Sequence, residues 1–159
     1  MTHSVRPALR LVAIAAFAIT IAVSTWLLLM PPGGRAADCA TARAMWTYYE
    51  SQLGSARAAA QESDANNTKT EAAYQNMING LQSYADRIAT PAIRSEADTI
   101  VAINRDMFEQ WKRWVAQSQA ESTISAGSTP SDRQFGVEFA ESAKRLGDAH
   151  AELDSSCRA

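Results

Sequence analysis

The chain has 159 residues, 47% of them apolar and 20% charged, which is one domain's length and excludes a wholly disordered chain or a coiled-coil fibre. Arg6 and Arg10 precede a long apolar run and every acid follows it, so the part from Arg35 onward carries 13 cations against 17 anions, a net −4. That balance argues against nucleic acid as a partner and against docking on an anionic lipid surface by charge.

Leu11 to Met30 is a run of 20 residues without a charge. At 1.5 Å per helical residue it would span roughly 30 Å, the hydrocarbon thickness of a bilayer, whereas a cleaved signal has an apolar region of only about 7 to 15 residues. The expectation is an uncleaved transmembrane anchor in the plasma (inner) membrane. Residues 1–10 then lie in the cytoplasm by the positive-inside rule, and the remainder lies outside. Pro31-Pro32-Gly33-Gly34 ends the span, and 31–37 reads as a short tether. The competing expectation is cleavage after Gly34-Arg35-Ala36, which would release a secreted binding or inhibitory protein.

Residues 38–159 read as four amphipathic helices. In the first, Cys39, Ala42, Trp46, Tyr49, Leu53, Ala56 and Ala60 alternate steps of three and four, one buried seam. A polar stretch, 61–69, breaks it, and Thr68 with Glu71 forms the pattern of a capping box for the second helix. The second seam is Tyr74, Met77, Leu81, Tyr84 and Ile88. Thr90-Pro91 places a cap and then a first-turn proline, so a third helix follows almost without a loop. Its seam runs from Ile93 through Ala97, Ile100, Asn104, Met107, Trp111 and Trp114 to Ser118. After a loop at 121–129, Thr129-Pro130 repeats the signal, and the fourth helix carries Phe135, Phe139, Ala143, Leu146, His150, Leu153 and Cys157. No useful stretch alternates with period two. The predicted class is all-α: a transmembrane helix followed by an up-down-up-down four-helix bundle.

In that topology the start of the first helix and the end of the fourth lie side by side, and Cys39 and Cys157 occupy those positions. Two cysteines so placed outside the cytoplasm are expected to be oxidised to each other. Phe108, Trp111, Trp114, Phe135 and Phe139 are expected at the opposite end. Phe108, Trp111, Lys112, Arg113 and Trp114 are also the candidate partner interface, because Trp and Arg dominate interface energetics. Otherwise these aromatics are simply core.

Catalytic and metal signatures are missing. The part beyond the apolar run has one histidine, His150, and no C-x-x-C-H, G-x-S-x-G, G-x-x-x-x-G-K-[ST] or G-x-G-x-x-G pattern. The expectation is a protein without enzymatic activity, metal or cofactor. His150 falls on the seam near the layer of Trp46 and Tyr84, most simply as a core histidine, and otherwise as an imidazole that gains charge in acid. Asn104, a polar residue in mid-seam, most simply sets register. If Tyr49, Tyr84, Asn104 and His150 lined a shared cavity, a small ligand would fit between the helices. Glycines 54, 80, 136 and 147 read either as close-approach positions or as tolerated surface residues.

An Arg-flanked span ending Met30-Pro31-Pro32-Gly33-Gly34, then a bundle stapled from Cys39 to Cys157, resembles in layout the small membrane-anchored envelope proteins of actinobacteria. The resemblance implies an accessory or scaffolding subunit that binds a larger integral membrane complex of transport or secretion, and it assigns no site residues. The excess of Arg over Lys, 12 to 3, fits a GC-rich bacterial gene. The alternative function is a ligand-binding or sensing bundle that acts with a partner.

Overall fold

A computed structural model describes residues 34–61, 67–121 and 130–158. The expected membrane segment, Leu11 to Met30, lies outside the described residues. Among the described residues no helix is long and apolar enough to cross a membrane, and there is no strand. The described residues are all-α and form four helices: α1 (Arg35–Gln61), α2 (Thr68–Ala85), α3 (Pro91–Glu121) and α4 (Pro130–Ser156).

Helix α1 begins at Arg35, so Arg35 to Ala37 form its first turn instead of the end of a tether. The Gly34 carbonyl accepts the amides of Ala37 and Asp38, and the Arg35 guanidinium donates to the Ser156 carbonyl at 2.6 Å. These bonds satisfy helix-end groups that a tether would leave to water. The capping box expected at Thr68 does not form. Thr68 is the first helical residue, and Asn67 before it sits in the left-handed region (φ 55°) without a side-chain cap bond. Both proline starts, Pro91 and Pro130, are where the sequence places them.

Successive helices run antiparallel. Tyr74 of α2 packs on Phe108 and Trp111 of α3, while Gln82, further along α2, meets Arg105. Trp114 of α3 bonds to Asp132 of α4, Gln110 to Ser142, and Glu96 to Ser156. The core is a run of fully buried side chains, Met45, Met77, Ile78, Leu81, Ile88, Ile93, Ile100 and Val101. It differs from the predicted seams by a rotation. On α1 Met45 is buried and Trp46 is only half-buried; on α4 Ala149 is buried, His150 is half-buried and Ala143 is exposed.

One end is tied together by several independent contacts. Cys39 and Cys157 form the expected disulfide, with Cα atoms 5.4 Å apart. Buried Asp38 reaches across from α1 to the turn before α3, where its carboxylate accepts the amides of Ala89 (3.2 Å) and Thr90 (2.8 Å) and the Thr90 hydroxyl (2.5 Å). Thr90 thus donates to α1 while its carbonyl accepts the Arg94 amide at 2.9 Å at the start of α3. The Ser156 hydroxyl donates to Glu96 at 2.6 Å, joining α4 to α3 at the same end.

The glycines separate into two kinds. A methyl group on Gly80 would fall inside the Tyr48 ring, whose hydroxyl donates to the Asn76 carbonyl at 3.1 Å, so α1 and α2 approach this closely only because residue 80 lacks a side chain. At Gly54 and Gly136 an added methyl meets nothing. Gly80→Ala is expected to lose about 1 to 3 kcal/mol through overpacking, whereas Gly54→Ala and Gly136→Ala each gain up to about 1 kcal/mol from helix propensity. Denaturant midpoints of the three variants check the opposite signs.

Candidate functional site: an apolar cleft between the first and fourth helices

Helices α1 and α4 are joined at the disulfide but pack little on each other, whereas α1–α2, α2–α3 and α3–α4 are the closely packed pairs. A further α1–α4 contact is aromatic. The His150 imidazole lies flat on the Trp46 indole, with centroids 3.5 Å apart and planes 9° apart, and the Trp46 Nε1 donates to Glu50 at 3.0 Å. Trp46 also borders a cleft of about 340 Å³, large enough for a drug-sized molecule.

All four helices contribute to the cleft. α1 supplies Trp46, Tyr49, Leu53 and Arg57 from one face; α2 supplies Tyr74 and Met77; α3 supplies Asn104, Met107 and Trp111; α4 supplies Phe139, Ala143, Leu146 and Gly147. The i, i+3 and i+4 spacing of the α1 residues puts them in one row along the axis. The lining is mainly apolar, with a few convergent polar groups.

Those polar groups are under-used. Asn104 is 4% exposed. Its Nδ2 donates to the Ile100 carbonyl at 2.9 Å, and its Oδ1 accepts no hydrogen bond among the described residues. The Tyr49 and Tyr74 hydroxyls are likewise without hydrogen-bond partners among the described residues. Burial raises the pKa of both phenols; for Tyr49 the neighbouring Tyr74 adds to the shift, and Arg57 opposes it for each. Both are therefore neutral donors at ordinary pH. Arg57 makes no ion pair among the described residues.

The four candidate ligand residues are thus divided. Tyr49 and Asn104 line the cleft; His150 does not, but stacks on Trp46, which does. Tyr84 is elsewhere: its ring packs on Tyr48, with centroids 5.5 Å apart, under the Arg87 guanidinium at 4.3 Å. Tyr84 follows the rotated α2 seam, in which Ala85 takes the buried position.

The candidate interface residues also separate. Phe108 is buried and stacks on Trp111 with centroids 5.8 Å apart. Trp114 forms a second group, stacking on Phe135 at 4.9 Å while its Nε1 donates to Asp132 at 2.9 Å. Lys112 pairs with Glu109 at 2.6 Å and lies over the Phe108 ring at 4.9 Å. Arg113 is exposed and borders a small polar recess with Trp114, Gln117 and Gln134. Val137 on α4 is 69% exposed.

Sequence reasoning missed Trp46, Leu53, Arg57, Tyr74, Met77, Met107 and Phe139 as one lining. The available signal was Arg57, four residues beyond Leu53 on the stripe of Trp46 and Tyr49, a charge continuing an apolar row. Among the described residues no group of three or more His, Cys, Asp or Glu side chains is placed to hold a metal ion. Comparison of the chain with protein-family models, with curated proteins and with solved structures gives no match.

Proposed function

We propose that this protein is a non-enzymatic, extracytoplasmic binding bundle, anchored in the plasma membrane by Leu11 to Met30, that takes a small apolar guest between α1 and α4. In this reading the helices form an up-down-up-down bundle stapled by the Cys39–Cys157 bridge. The observation that carries the reading is the cleft itself: an interhelical space lined by aromatic and Met side chains, with a few polar atoms that no other described residue satisfies. Such a lining is the usual composition of a small-molecule site. The guest-binding bundle serves as an accessory or scaffolding subunit of a larger envelope complex of transport or secretion, for which the span supplies the attachment and the layout supplies the support.

Methionine-methyl NMR tests the guest site directly. Met77 and Met107 line the cleft, whereas Met45 is buried in the core beside it. In the full-length protein in phosphatidylcholine nanodiscs, dodecanol is expected to move the Met77 and Met107 methyl signals saturably and to leave Met45 in place. Equal movement of all three, or of none, sinks the guest-binding reading. Affinity purification of the tagged chain from its own membranes tests the second half: recovery without a stoichiometric membrane partner removes the accessory role.

A further inference from the structure

We infer that the guest is an amphipathic carboxylate, its acid group held by Arg57 and its apolar chain lying down the cleft toward Trp46. The inference rests on the binding reading above and adds the chemistry and orientation of the ligand. Three observations point to it. Among the described residues Arg57 is the only charged one that lines the cleft, and no carboxylate among them pairs with it. It is close enough to the Tyr49 and Tyr74 phenols to act on both electrostatically, so one guanidinium and two neutral hydroxyl donors gather in one place.

The second observation is shape. The α1 row from Trp46 to Arg57 spans 11 residue steps, about 16 Å at 1.5 Å per residue. One end of the row is Trp46, on which His150 stacks, and its charge is at the other end. An elongated apolar cleft with a cation at one extremity matches a chain with one terminal anion. The third is charge count. A single guanidinium forms a two-bond, charge-matched pair with a carboxylate, whereas a phosphate dianion would leave one negative charge without a partner. Between the two ends, the Asn104 Oδ1, which accepts no hydrogen bond among the described residues, offers an acceptor to a guest hydroxyl.

The test compares dodecanoate, dodecanol and dodecyltrimethylammonium on the full-length protein in phosphatidylcholine nanodiscs, read by the Met77 and Met107 methyl signals. Dodecanoate is expected to bind about tenfold more tightly than dodecanol, and the cation not at all. Arg57→Gln should reduce dodecanoate to the affinity of dodecanol and leave dodecanol unchanged, while Arg57→Lys restores part of the difference. Arg57 is exposed, so these variants leave the core untouched. Ala143→Phe, which adds a ring inside the cleft, should abolish binding of both. If dodecanoate and dodecanol bind equally and Arg57→Gln changes neither, the carboxylate assignment is overturned and the guest site stands. If neither binds, both fall together.

Discussion

Replacing Cys39 and Cys157 by alanine is expected to remove about 4 to 5 kcal/mol of folding stability. The bridge closes a loop of 118 residues, and in the chain-entropy view a loop near that length restricts the unfolded chain by this amount. For a domain whose whole stability is of order 5 to 15 kcal/mol, that is a large share. The native state also depends on the bridge locally. Helices α1 and α4 are otherwise little packed on each other, and the bridge is supported by the Arg35–Ser156 bond and the Trp46–His150 stack. Denaturant unfolding of the oxidised protein and the double alanine variant gives the difference. Hydrogen exchange should show the loss of protection greatest at the end of α4, where Leu153 is the last buried side chain. A difference below about 1 kcal/mol would mean that the remaining contacts already hold α4 in place.

Asp38→Ala is expected to cost about 2 to 4 kcal/mol, the second large effect. The carboxylate is 4% exposed and accepts three hydrogen bonds from Ala89 and Thr90. Removing it strands those donors in a partly buried turn, and charge-assisted caps are worth more than neutral ones. The effect carries a pH signature. The Thr90 hydroxyl chiefly, with the Ala89 and Thr90 amides adding and burial opposing, holds the Asp38 carboxyl below its ordinary value of 3.8. A carboxyl depressed in the folded state stabilises fully above its unfolded value, and this contribution is lost as pH falls through the folded one. Stability of the wild-type protein should therefore decline below about pH 4. Asp38→Asn should flatten that part of the acid limb, as followed by urea midpoints from neutral pH downward. An unchanged acid limb in the variant would assign the decline to other carboxylates.

The helices and their staple were legible because they depend on local or covalent rules. Three-and-four spacing, the two Thr-Pro starts and two cysteines at the extremes of the bundle each carry their own physical reason. The predicted seams were close but rotated. A period of 3.5 is satisfied almost as well one position away, and only packing decides whether Met45 or Trp46 faces the core. Tyr84 lost its expected place in the cavity for the same reason. The Asp38 bond to Thr90 was not legible because its partners stand 52 residues apart in sequence, and local pattern reading does not reach that far.

The amino-acid sequence by itself determined an all-α fold of four amphipathic helices, their proline-marked starts and the pairing of Cys39 with Cys157. Hydrophobic periodicity, backbone chemistry and the count of two cysteines suffice for those. Tertiary structure alone decided that α1 and α4 pack little on each other apart from the disulfide and the Trp46–His150 stack, and that Tyr49, Arg57, Tyr74 and Asn104 converge on one cleft. Helical pattern says which face of a helix is apolar, but not how far apart two such faces come to rest. That separation is set by the summed packing of all four helices.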